Sequence, residues 1–107
     1  MRQAILADIR TVAGEGDYLV STHFLDMLFE RGLDLVDIAD AIREDAPEII
    51  EDYPNDTRGS SCLILCQGAS GTWYHVVCGY APLVTMITVY VPDSLLWSLD
   101  YRRGRRP

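Results

Sequence analysis

Two histidines, His23 and His75, are the residues best suited by type to moving protons near neutral pH. Such a pair can perform acid–base catalysis, one imidazole as base and one as acid. Where a reaction builds negative charge, as transfer at a phosphate does, a fixed cation has to stand beside it. Arg31 and Arg58 are the candidates for that cation. Tyr90 can donate to a phosphate or stack on a base, Thr88 can orient either, and Trp73 adds a substrate-binding surface. Each histidine also has a plain structural use. His23 can bond a nearby carbonyl, and His75 with Tyr90 can form the wall of a half-buried sheet or a dimer face.

A metal is a poorer fit. Cys62, Cys66 and His75 invite zinc, but positions four apart on one strand are about 13 Å apart, too far to share an ion. The cysteines read better as small hydrophobes, and no metal or other cofactor is expected. Glu48, Glu51, Asp52 and Asp56 form an acidic run that could hold a cation or face a basic partner. A solvated sheet edge whose charges block edge-to-edge pairing explains the run more simply.

The elements that must position these side chains change period halfway. Residues 3–13 have Ile5, Ile9 and Val12 at helical spacing. Ser21 or Thr22 caps a second helix from about His23 to Arg31, which Gly32 stops. Asp34 caps a third, whose buried stripe is Leu35, Ile38, Ala39 and Ile42. Four strands follow, at 48–53, 62–66, 73–78 and 86–91, separated by clusters of turn residues. Asp93 or Ser94 can cap a short final turn holding Leu95, Leu96 and Trp97. Helices followed by an antiparallel meander describe an α+β domain with its N-terminal helices on one face of a four-stranded antiparallel sheet.

Strand parity divides the sheet into two faces. A symmetric turn at 68–71 sets Leu65 opposite Tyr74 and Leu63 opposite Val76, an apolar set for the helices to cover. Cys62, Cys66, Trp73 and His75 then share the helix-free face with Thr88 and Tyr90. In the last strand, Ile87, Val89 and Val91 face the helices and Met86 faces away. A register slip of one residue exchanges the two faces.

The chain has 107 residues, enough for one domain over 1–101, with an arginine-rich tail at 102–107. Net charge is −7, made of −11 before residue 102 and +4 in the tail, and every basic residue is arginine. The tail reads as a phosphate-binding arm or as a solubilising end that lies on an acidic body. An acidic body of this size is unusual for a protein that binds nucleic acid on its own. No segment approaches the roughly 20 apolar residues of a membrane span. With an odd number of cysteines and no apolar leader, a cytoplasmic protein with reduced thiols is expected.

Several segments together resemble a known family. Ser21-Thr22-His23, Met27 and Glu30-Arg31-Gly32-Leu33 follow its Ser-x-His-Ala-x-x-Arg-Met-x-x-Arg-Gly block. Next come Glu48-Ile49-Ile50-Glu51-Asp52-Tyr53-Pro54, Asp56, Arg58-Gly59, Ser61-Cys62-Leu63, His75-Val76-Val77 and Ile87-Thr88-Val89-Tyr90 with Pro92. The ordered series resembles the domain of unknown function DUF4258, over roughly residues 18–103. That family is similar to the RelE/ParE and BrnT toxins of toxin–antitoxin systems, some of which are metal-independent ribonucleases. The resemblance implies a RelE-like fold, an antitoxin partner and RNA or the ribosome as target. The chain departs from the pattern at Met27, where the family has arginine, and at Phe24, where it has alanine.

The expected function is thus a toxin-like endoribonuclease with His23, His75, Arg31 and Tyr90 catalytic and Arg58, Thr88 and Trp73 binding substrate. The alternative is a non-catalytic protein-interaction or homodimerisation domain that uses the sheet face bearing Trp73, Met86 and Tyr90.

Overall fold

The computed structural model describes residues 1–44 and 46–104; of the expected arginine tail, Arg105, Arg106 and Pro107 lie outside the described residues. The elements are α1 (Arg2–Glu15), β1 (Leu19–Val20), α2 (Thr22–Arg31), α3 (Leu35–Arg43), β2 (Glu48–Tyr53), β3 (Ser60–Gln67), β4 (Trp73–Ala81) and β5 (Thr85–Tyr90). Local chemistry sets the helix boundaries. Ser21 Oγ accepts the Phe24 N–H at 3.0 Å and Asp34 Oδ1 accepts the Val36 N–H at 2.9 Å. Gly32, at φ 63°, turns the chain out of α2.

The sheet has five strands, in the order β1-β5-β4-β3-β2, not the four expected. The added strand, β1, runs parallel to β5, so the sheet is mixed rather than wholly antiparallel. Two residues are too few to show alternation in a sequence. The strand exists because Leu19 N–H donates to Val84 O and Ser21 N–H to Met86 O, each at 2.9 Å.

The register of β3 against β4 is one residue from the expected one. Cys66 lies opposite Tyr74, Leu65 opposite His75 and Ile64 opposite Val76. The physical cause is tertiary. Asp37 on α3 accepts both the Tyr74 hydroxyl at 2.6 Å and the Ala69 N–H at 3.0 Å, which centres the hairpin loop on Ser70. Those bonds also hold the Asp37 carboxyl below the usual carboxylate range, the Tyr74 hydroxyl being the larger cause.

The helix-covered face is accordingly Cys62, Ile64, Cys66, Tyr74, Val76, Cys78 and Val89, packed against Ile9, Phe24, Ile38 and Ile42. Full burial of a side chain such as Phe24 or Ile38 contributes about 1.5–3 kcal/mol. Cys62 and Cys66 therefore belong to the core, on the side away from His75. Burial pushes their neighbour Cys78 up to about 12 and raises the Cys62 thiol as well. In β5, a bulge leaves Ile87 unpaired between Thr88 (opposite Val77) and Met86 (opposite Cys78). Parity thus breaks in mid-strand. Met86 turns into the core, where it was expected to face away, and Ile87 turns outward.

The other face holds Leu63, Leu65, Trp73, His75, Val77, Thr88 and Tyr90. No helix covers it, but the segment after β5 does. Asp93 caps a turn there, accepting Leu95 N–H on its side chain and Leu96 and Trp97 N–H on its carbonyl. Trp97 bridges to Gly104, and Arg102 Nε donates to Glu48 Oε2 on β2 at 2.8 Å. Arg102 is thus tied to the body.

Beneath this strap His75 is 0% exposed. Its Nε2 lies 2.8 Å from the Tyr101 carbonyl and its Nδ1 3.1 Å from the Tyr90 hydroxyl. A carbonyl only accepts, so Nε2 carries the proton and Nδ1 accepts from Tyr90. Tyr101 takes a left-handed backbone conformation, φ 60°, to aim that carbonyl. Trp97 stands edge-on to the imidazole at 4.3 Å and Tyr90 at 5.2 Å.

Two predictions follow from these contacts. A Cβ on Gly68 would sit 2.2 Å from Asp37 Oδ2, so Gly68→Ala breaks the α3–hairpin joint and costs about 1–3 kcal/mol in denaturant unfolding. Gly14→Ala, inside α1 with only a flexible arginine methylene at 3.3 Å, should instead hold or gain up to about 1 kcal/mol and serves as the contrasting control. The second concerns pH. Desolvation lowers the His75 pKa below its ordinary 6.5, against smaller opposing effects of the Tyr101 carbonyl and Glu51. The unfolded chain then binds a proton that the folded chain refuses, so stability falls as pH drops through 6.5 towards the folded value. Unfolding of His75→Gln, measured at several pH values, should show a flatter stability profile as pH falls below 6.5.

Candidate functional site

One cleft, of about 650 Å³, opens on the helix-free face at the end of the sheet beyond the strap. The start of α2 forms one wall with Ser21 and His23. The β2–β3 loop forms another with Asp56, Arg58, Gly59 and Ser60. The floor is Val77, Gly79, Ile87 and Thr88, and the β4–β5 turn at Ala81–Leu83 closes the end.

Each wall is fixed by identifiable bonds. Ser21 Oγ, besides capping α2, donates to Ile87 O at 2.9 Å, which pins the helix start to the bulge of β5. Asp56 Oδ1 accepts the Arg58 N–H at 3.1 Å, a local turn that presents the Arg58 side chain. Its Oδ2 accepts from Ser61 Oγ at 3.3 Å. Gly59 stands at φ 120°, and a Cβ there would meet the Ala81 carbonyl oxygen at 2.5 Å. Glycine is required at that point for the β2–β3 loop to lie against the β4–β5 turn.

The cleft brings together three of the residues singled out in the sequence: His23, Arg58 and Thr88. His23 is exposed on the first turn of α2. Among the described residues the arginines in ion pairs are Arg43 and Arg102, which leaves the Arg58 guanidinium available to an anion. The free amides at the α2 N-terminus add positive potential on the same side. A cation, a proton acceptor and a hydroxyl around a largely apolar floor can hold a phosphate and take a proton from a group beside it.

The other four stand elsewhere. Arg31, at the far end of α2, is about 12 Å along the helix axis from His23 and outside the cleft. His75 and Tyr90 bond each other beneath the strap, and Trp73 packs on Tyr101 with ring centres 6.4 Å apart. The two histidines therefore do not meet in one cleft as an acid–base pair. With both ring nitrogens bonded, His75 serves to seat the strap. Among the described residues, no three His, Cys, Asp or Glu side chains are grouped to hold a metal ion.

Sequence reasoning missed Ser21, Asp56, Gly59 and Ser60 as parts of this site. Ser21 read as a helix cap, and Asp56 as part of an acidic run that could hold a cation, face a basic partner or form a solvated edge. The signal was the run Asp56-Thr57-Arg58-Gly59-Ser60, an aspartate, an arginine and a glycine at turn spacing between two strands.

Comparison with curated proteins and with solved structures returned no match. Among protein families, the one described as Domain of unknown function (DUF4258) matches residues 20–91. The match runs from β1 through β5 and takes in both walls and the floor of the cleft. Spanning well over half of the 107 residues, it shows that the chain belongs to the DUF4258 family.

Proposed function

We propose that this chain is a toxin-type module of RelE-like architecture and that the cleft beside α2 cleaves RNA without a metal. The single observation that carries the proposal is the convergence of His23 and the unpaired Arg58 on one concave site. The resemblance to RelE/ParE and BrnT toxins supports the same assignment, and a cytoplasmic setting with a paired antitoxin suits it.

In this mechanism His23 takes the proton from the 2′-hydroxyl as that oxygen attacks phosphorus. Arg58 holds a non-bridging oxygen and stabilises the charge that grows on it. Thr88 donates to the phosphate from the floor. Only one imidazole lines the cleft, so the leaving 5′ oxygen draws its proton from solvent. Turnover is accordingly slower than at a site with two imidazoles. The acidic body opposes RNA binding, but Asp56, the one carboxylate lining the cleft among the described residues, has its oxygens engaged by Arg58 N–H and Ser61 Oγ.

The sheet-face interaction reading has less surface to draw on than expected. Met86 is buried in the core, and Trp73 and Tyr90 are half-covered by the strap.

The test is cleavage of total RNA and of translating ribosomes in the presence of a chelator. Wild type should cleave under those conditions. His23→Ala should lose about 10²–10⁴-fold in rate, the range for removing a general base. Arg58→Ala should lose about 10²-fold or more, while His75→Gln, if folded, should still cleave. Absence of cleavage by the wild type, or equal rates for wild type and His23→Ala, overturns the proposal.

A further inference from the structure

The outward side of α2 is apolar where a surface helix is ordinarily polar. Successive helix positions turn by 100°, so Phe24, Met27 and Leu28 face the sheet while Leu25 and Phe29 rotate to the outside. Phe29 is 91% exposed and Leu25 51%. With Leu28, Gly32 and Leu33 they line one shallow groove. A single exposed leucine is unremarkable, but an exposed phenylalanine continuous with an apolar groove marks a contact surface.

The rim of the groove says what the contact is. Asp26 and Glu30 follow Leu25 and Phe29 around the helix, and Asp34 stands next to Leu33 at the cap of α3; all three are exposed. Arg31 is the one cation among them. A second copy would bring the same rim, three carboxylates and one arginine, to this face, so like charges would outnumber opposite ones across the contact. A helix with apolar anchors three and four residues apart and flanking lysines or arginines satisfies both the groove and the rim.

We infer that the groove formed by Leu25, Leu28, Phe29 and Leu33 docks a basic amphipathic helix of another protein. The inference uses nothing of the cleft: Phe29 and His23 lie on different sides of α2, and either role stands without the other.

The test measures fluorescence anisotropy of a short synthetic leucine–lysine helix, its leucines spaced three and four apart, titrated with the whole chain. A twin peptide with glutamate in place of lysine should not bind. Phe29→Gln, a surface change that spares the core, should weaken binding by about tenfold or more, as loss of a buried aromatic anchor does. Asp26→Asn with Glu30→Gln should weaken it and reduce its salt sensitivity. Leu99→Gln, at an exposed leucine far along the strap, should change nothing. Equal affinity of Phe29→Gln and wild type overturns the inference. So does a wild-type dimer in sedimentation that Phe29→Gln converts to monomer, since the occupant would then be a second copy. RNA cleavage by Phe29→Gln tells the two proposals apart, because it depends on the cleft residues His23, Arg58 and Thr88 and not on Phe29.

Discussion

The arrangement of this protein turns on Ser21. Its amide donates to Met86, its hydroxyl oxygen accepts from Phe24, and the same hydroxyl donates to Ile87. Three bonds from one residue end β1, start α2 and fasten both to β5. A hydroxyl is the smallest group that can accept and donate at once, so alanine could supply neither bond and aspartate only the first. The position of His23 over the cleft is a consequence, since it sits two residues along from that joint.

Burial decides how the two histidines differ. His75 is surrounded by Trp97, Tyr90 and the Tyr101 carbonyl, and desolvation keeps it neutral. That suits a residue that must hold a strap in place by donating one proton and accepting another. His23 lies at a helix start open to solvent and to the cleft. The same residue type is thus enclosed and doubly bonded in one place and open to solvent in the other, and only the surroundings tell which is which.

Much of the fold was legible locally. The caps at Ser21 and Asp34, the stop at Gly32 and the four longer strands all rest on short-range chemistry that the sequence displays. The features that escaped are non-local. The β3–β4 register is set by Asp37, which is far from the hairpin in sequence. The fifth strand is only two residues long, and its existence depends on β5. The strap hides His75, and nothing in the spacing of Trp97 or Tyr101 announces where they land. His23, Arg58 and Thr88, singled out by type, do line one cleft, whereas His75, named as the partner of His23, is buried outside it. Parity counting put His75 on the correct face, and counting along strands could not reveal that another segment covers it.

The bulge at Ile87 has a broader consequence. In a regular strand neighbouring side chains alternate between faces, so any change of register alters core and surface together. Here the extra residue lets Ile87 and Thr88 both look outward while Met86 and Val89 stay inside. One strand thereby serves two independent purposes at separate positions. Substitutions at 87 and 88 can reshape what the cleft accepts without disturbing the packing beneath the helices. In such a strand the shape of the outer surface and the packing of the interior no longer compete for the same side chains.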